Sequence, residues 1–268
     1  MSLSNYIMIG HFVPKHSFIH RLDPRSKLIF AFLFIILVFL AENAMGYIIL
    51  SIIVLIGVIF SRIPLSYYFK GLIPILWMIL FTTILHITMT KEGEIIFQWH
   101  WLAIYSDGIR QAIFIAIRLL LLVIIASLLT LTTSPIDLTV GMERLFSPLK
   151  RLKVPVNELA LMMSISLRFI PTLLDETDKI MKAQKSRGAN FESGPFHKRI
   201  LIIVAIIIPL FVNAFKRAED LANAMEARGY RGGEGRTRLR VFHFTWRDLT
   251  LGVLFISLLL LMMFIRGY

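Results

Sequence analysis

The chain has 268 residues, 57% of them hydrophobic and none of them cysteine, and carries a formal charge of +12. The apolar share exceeds the ~45–50% of an ordinary soluble domain, and the missing cysteines exclude disulfides, thiolate metal sites and thiol catalysis. The charge is concentrated: 19 of the 29 Lys+Arg lie between Arg144 and Arg247, against 9 Asp+Glu in the same stretch. In a membrane protein that excess reads as loops held in the cytoplasm, in preference to a nucleic-acid surface.

The apolar residues come in long runs. Leu28–Ala41, Ala44–Phe60, Gly71–Met89, Ile109–Leu131 and Leu249–Ile265 each have the length and low charge of a membrane span, the first and last needing help from flanking residues. The first run begins only at Leu28 after a basic stretch, and AENA at 41–44 is a poor cleavage site, so no removable signal peptide is expected. Loop charges set the orientation. Lys15, Arg21, Arg25 and Lys27 precede the first span, Glu42 follows it, Arg62 and Lys70 follow the second, and an acidic loop with Trp99 and Trp101 follows the third. Each loop agrees with a cytoplasmic N-terminus and an outer C-terminus. Residues 1–133 thus form a membrane domain of four spans, and 241–268 add a C-terminal one.

Between them, residues 134–240 read as a cytoplasm-rooted module of helices at about 134–147, 156–187 and 195–228. Ser134, Pro135 and Asp137 are the signals of a helix start. Two long helices follow Pro155 and Gly194-Pro195. Each has an apolar first half, a mid-helix proline (Pro171, Pro209), a charged second half, and a small-Arg-Gly end: Ser186-Arg187-Gly188 and Ala227-Arg228-Gly229. The prolines should kink the helices. Met162, Met163 and Met181 suit an adaptable contact surface. Residues 199–215 are greasy enough for a further span, but their uninterrupted apolar core is short and both flanks are basic (Lys198, Arg199, Lys216, Arg217). They read instead as half of a long helix on the cytoplasmic side. An arginine in the last turn complements the helix dipole, and glycine after it stops the helix. Two such slim tips on one membrane face suggest a partner with two similar grooves, which the arginines would enter to form charge-assisted hydrogen bonds.

Other chemistry is absent. There is no GxxxxGK[ST] loop, no acid or thiol among His11, His16 and His20 to complete a metal site, and no triad or carboxylate pair, so neither an enzyme nor a metal centre is expected. GYRGGEGRTRLR at 229–240 only loosely resembles RNA-binding arginine-glycine segments and reads as a linker near lipid head groups. None of the five runs contains Asp or Glu; His86, Arg110 and Arg118 lie toward the outer side. A self-sufficient carrier or channel, the alternative function, would place carboxylates or broken helices at mid-membrane.

HRLDPRSKL at 20–28, the stretch from TSPIDLTVGMERLF to AQKSRGANF at 133–191, and AEDLANAMEARGY at 218–230 resemble the transmembrane T component of energy-coupling factor transporters, ABC-type importers of vitamins and metal ions. The resemblance covers nearly the whole chain. It implies an all-α polytopic membrane protein, with about five spans and a coupling module of one short and two long crossed helices. It also implies a non-catalytic coupling subunit in the cell membrane that takes up no cofactor. ATP and Mg would be bound by two partner ATPases, identical or different, and the substrate by a membrane-embedded S component. Carried over by position, the ATPase-docking residues are Ser186, Arg187, Gly188, Ala227, Arg228 and Gly229, with serine where the family motif has its first alanine. The apolar halves, with Met162, Met163, Leu167, Pro171, Ile206, Pro209 and Phe211, would meet the S component or each other at the helix crossing.

Overall fold

The computed structural model describes residues 12–99, 102–189, 195–232, 242 and 244–266. His11, Gly194 and the arginine-rich stretch 233–241 lie outside them, as do the side chains of Trp99, Lys198 and Arg199. The described chain is helical but for one hairpin: α1 (Pro24–Leu40), α2 (Ala44–Ser61), α3 (Leu65–Met89), β1 (Ile95–Trp99), β2 (Leu102–Tyr105), α4 (Ser106–Thr132), α5 (Pro135–Leu145), α6 (Val156–Ser186), α7 (Phe196–Ala227) and α8 (Trp246–Arg266). It is an all-α polytopic membrane fold. α2, α3, α4, α8 and the stretch of α7 from Ile200 are each long and apolar enough to cross a bilayer. α1, with 17 residues, rises only ~26 Å at 1.5 Å per residue, a little under the ~30 Å hydrocarbon core. Hydropathy and length alone therefore admit α7 where the basic flanks argue against it.

The described residues divide into two compact units, one within 10–142 and 242–268, the other within 143–241. In the first, α1, α2, α4 and α8 enclose a core built from helical spacing. Phe34, Leu37, Val38 and Ala41 come from α1 and its end, Tyr47, Leu50, Val54 and Val58 from α2, Leu121 and Ile125 from α4, and Leu258 and Met262 from α8. The opposite stripe of α2, Ile48, Ile52, Leu55 and Ile59, is equally apolar and exposed. A water-soluble fold would bury both faces; here the outward one belongs to lipid. α3 packs along α4, and Gly108 permits that approach, since a Cβ there would stand 3.3 Å from the His86 carbonyl oxygen.

Polar ties fix the ends of these helices. Asp23 caps α1, its Oδ1 accepting from Arg25 N at 2.9 Å, with Pro24 in the first turn. Asp248, buried at the start of α8, accepts from Asp23 N through Oδ1 (2.9 Å) and from Thr245 N through Oδ2 (2.8 Å), joining positions 225 residues apart. Buried Lys27 donates to Thr132 O and Thr133 Oγ1 at 3.0 and 3.1 Å, tying α1 to the end of α4. Arg118 donates to the buried Tyr47 hydroxyl through Nη2 (2.7 Å) and Nε (3.1 Å) and lies over the Phe39 ring. An arginine in a span is thus satisfied by a phenol and a π-face, with no carboxylate pairing it among the described residues. Ahead of α1, His20 Nε2 meets Val13 O at 2.9 Å. A carbonyl can only accept, so Nε2 carries the proton and Ser17 Oγ donates to Nδ1 (2.7 Å).

α5 opens as its sequence predicts: Asp137 N donates to Ser134 Oγ (3.1 Å), which donates to Asp137 Oδ2 (2.7 Å). A 3-10 turn over Ser147–Leu152 follows, and Lys153 then takes left-handed φ (61°) ahead of α6. The acidic loop after α3 contains the antiparallel β1–β2 ribbon, with Trp99 opposite Leu102 and Ile95 opposite Tyr105 and an irregularity between Ile95 and Phe97. That hairpin is absent from the sequence expectation.

Candidate partner-docking tips on two long helices

In the second unit α6 and α7 pack on each other. The residue partners show their sense. A crevice of about 550 Å³ is shared by Leu161, Ser164 and Arg168 of α6 with Met225 of α7 and Arg228 just past its end. Further along, Asn213 Nδ2 donates to Glu176 Oε1 at 2.6 Å, and Arg217 forms an ion pair with Glu176 at 3.1 Å. Early α6 therefore lies beside late α7, and the pair is antiparallel. The Arg228 tip adjoins Leu161–Arg168, whereas Arg187 lies 19–26 residues further along α6. At 1.5 Å per residue the two tips are about 30–40 Å apart along the pair.

Both tips end in the same hydrogen-bond pattern. After α6, Gly188 N donates to Lys185 O (3.0 Å) and Ala189 N reaches back to Gln184 O (3.0 Å). After α7, Gly229 N donates to Glu226 O (2.8 Å) and Tyr230 N to Met225 O (3.0 Å). This is the Schellman cap, in which the residue after the helix must be left-handed. Gly188 and Gly229 supply it with φ of 88° and 75°. A Cβ on either glycine would meet no other atom within 4 Å, so the requirement is on the backbone and not on space. Arg187 and Arg228 take equivalent cap positions, with φ/ψ of −85°/7° and −87°/9°.

Ser186, Arg187, Gly188, Ala227, Arg228 and Gly229 are all exposed. Neither guanidinium has a hydrogen bond or ion pair among the described residues. Ser186 Oγ turns back to Lys182 O at 3.1 Å, which satisfies the hydroxyl and leaves the tip as slim as an alanine would. The result is two unspent cations, each on a rigid backbone at a helix end.

Of the expected apolar interface, Met162 (54%), Met163 (46%) and Phe211 (61%) are well exposed, as is Pro171, while Leu167, Ile206 and Pro209 are half-buried. No residue of α7 from Ile200 onward is buried. Ile200, Leu201, Ile203, Val204, Ile207 and Ile208 are all exposed, leaving far more apolar surface than a soluble monomer tolerates. Pro171 and Pro209 both lie inside continuous helix; lacking an N–H, each leaves the carbonyl four residues earlier, Leu167 or Ala205, without its intrahelical donor.

Sequence reasoning missed two features of this unit. One is the Glu176–Asn213–Arg217 link, whose members are 37 and 41 positions apart and carry no local signal. The other is Tyr230, whose place after the capping glycine, opposite Met225, follows the hydrophobic rule of the Schellman motif and was there to be read.

A family model for the cobalt transport protein CbiQ matches residues 15–239. The chain is 56% identical to the energy-coupling factor transporter transmembrane protein EcfT of Bacillus subtilis (strain 168), over 97% of this chain and 98% of that relative. It is 60% identical to the protein of the same name from Brevibacillus brevis, over 90% and 91% of the two chains. The corresponding figures for Exiguobacterium sibiricum are 51%, 97% and 99%.

Proposed function

The chain belongs to the family of energy-coupling factor transporter transmembrane proteins, and from that premise we propose that it is the non-catalytic coupling subunit of an ATP-driven importer. Arg187 and Arg228 dock in grooves of two ATPase subunits, which bind the ATP and Mg. The exposed apolar halves of α6 and α7, including Met162, Met163, Leu167, Ile206 and Phe211, face a membrane-embedded S component that selects the vitamin or other micronutrient. The N-terminus and the tips lie on the cytoplasmic side, α7 stays on that side despite its hydropathy, and the C-terminus is outside. The observation that carries this reading is the pair of matching, exposed Arg-Gly caps, their guanidinium groups unpaired among the described residues, at opposite ends of an antiparallel helix pair. Their separation suits two grooves on two subunits better than two sites on one.

The test is Arg187→Ala and Arg228→Ala, singly and together, with co-purification of ATPases from membranes. Truncating a desolvated charged contact costs about 2–5 kcal/mol, or roughly 30-fold or more in affinity. Each single change should weaken association, and the double change should abolish it along with uptake, while the chain still inserts in the membrane. A double variant that retains stoichiometric ATPases defeats the docking assignment.

A further inference from the structure

In the unit of residues 10–142 and 242–268, an apolar crevice of about 270 Å³ opens between α1, α2, α4 and α8. It is walled by side chains such as Phe34, Val54, Ile125 and Leu254, and Lys27 lines it too, with its ammonium engaged by Thr132 and Thr133. Against it lies a recess of about 480 Å³ whose charged residues are Arg21, Arg62 and Arg247, with His16 at its side. Phe18 and Phe60 line both spaces and meet edge-on at 6.5 Å. A basic recess and an apolar crevice thus share one aromatic sill.

The three arginines are unspent: none of their side chains has a hydrogen bond or ion pair among the described residues. The neighbouring acids Asp23 and Asp248 are buried and engaged by backbone N–H groups, and Asp23 by Arg25 as well; among the described residues neither forms an ion pair with the three arginines. Arg62 ends α2 at φ 55°, one of two non-glycine residues in left-handed conformation among the described residues. Lys15 Nζ donates to its carbonyl at 3.0 Å. A side chain at that φ costs about 1–2 kcal/mol relative to ordinary backbone, where glycine would cost little; strain of this kind concentrates at ligand-binding positions. Depth agrees as well: Trp246 is 83% exposed beside Arg247, as expected of an indole at the membrane–water interface.

We propose that this compound site binds one anionic glycerophospholipid, its phosphate held by Arg21, Arg62 and Arg247 and an acyl chain laid over Phe18 and Phe60 into the crevice. Guanidinium groups pair with phosphate oxygens in bidentate fashion, and basic recesses between spans on the positively charged side select anionic head groups. A free phosphate would leave the crevice empty. A zwitterionic lipid would fill it but bring its own cation against three others. The lipid would seat the start of α1, the end of α2 and the start of α8 on one molecule.

The test uses the full chain purified in mild detergent, with native mass spectrometry reading retained dioleoyl phosphatidylglycerol against dioleoyl phosphatidylcholine, and glycerol 3-phosphate as the lipid-free anion. One phosphatidylglycerol should be retained about tenfold more strongly than phosphatidylcholine, and glycerol 3-phosphate should not compete. Arg62→Gln with Arg247→Gln should bring the two lipids level. Thr250→Trp, which adds bulk at an exposed position lining the crevice, should weaken both. Elution profile and thermal unfolding show that each variant is folded; if the double variant is not, Arg21→Gln alone must reduce the preference. Equal retention of the two lipids by the unaltered chain overturns the proposal, as does competition by glycerol 3-phosphate or a preference that survives removal of the arginines. Cross-linking of position 60 to a partner chain in the assembled transporter, with no lipid retained there, overturns it too, because a protein then covers this face.

Discussion

Gly188 and Gly229 isolate one physical variable, because both are left-handed and both face open space. Alanine at either position gains no clash, yet meets the left-handed penalty of about 1 kcal/mol that asparagine partly avoids. Gly229→Ala should therefore fray the last turn of α7 and, on the proposed docking, loosen ATPase association by several-fold, with Gly229→Asn in between. Amide hydrogen exchange at Tyr230 and Arg228 reads the cap directly, and equal protection in all three forms would refute the account. Arg187 and Arg228 were legible for the same reason that the glycines are testable, since a helix end is specified by adjacent residues. The Arg118–Tyr47 bond was not. Its members are 71 positions apart, and nothing beside Arg118 announces that its partner is a phenol and not an acid.

Element by element, the sequence predicted what hydrophobic period and caps can specify. α2 runs to Ser61 and α4 to Thr132, within a residue or so of the runs that forecast them, and Ser134 caps α5 as its spacing requires. The β1–β2 ribbon escaped because its residues were read for charge and interfacial tryptophans, which locate a loop without giving it a backbone. The turn before α1 adds a pH dependence. Burial, the largest influence on His20, lowers its pKa below the ordinary 6.5, only partly offset by the hydrogen bond to Val13. Since the folded value lies below the unfolded one, the turn keeps its full stability above about pH 6.5 and loses it as pH falls through the lowered folded value. Exchange protection over Ser17–Leu22 should accordingly drop between pH 7.5 and pH 5, and His20→Gln should flatten that dependence.

At the scale of the whole molecule, the ties that close the chain are few and buried. Asp248 bonds the backbone of Asp23 across 225 residues, so α8 is fixed to α1 by one carboxylate as well as by apolar packing. Removing it takes the acceptor from the buried Asp23 N–H, which costs about 1–3 kcal/mol. Asp248→Ala should lower the thermal midpoint of the detergent-solubilised chain by several degrees and expose the linker before α8 to protease; Asp248→Asn, which keeps an acceptor, should recover part of the loss. Long-range pairings of this kind were beyond the sequence, because many acids could have met many backbone amides and only the folded chain selects one. The membrane character was within reach because it is a property of whole runs. α7 satisfies the same length and composition test, so hydropathy alone does not separate it from the spans; its proposed place on one side rests on the basic residues at its ends.

The antiparallel sense of α6 and α7 has a mechanical consequence. If both tips are held as proposed, the pair is a bar gripped at both ends; it cannot shorten when its grips move, so it would swivel, or flex where its internal bonding is thinnest. In each helix that weak point is the turn before Pro171 or Pro209, where a carbonyl lacks its donor. On that proposal, linear movement of the grips would emerge as a rotation of the greasy surface between them.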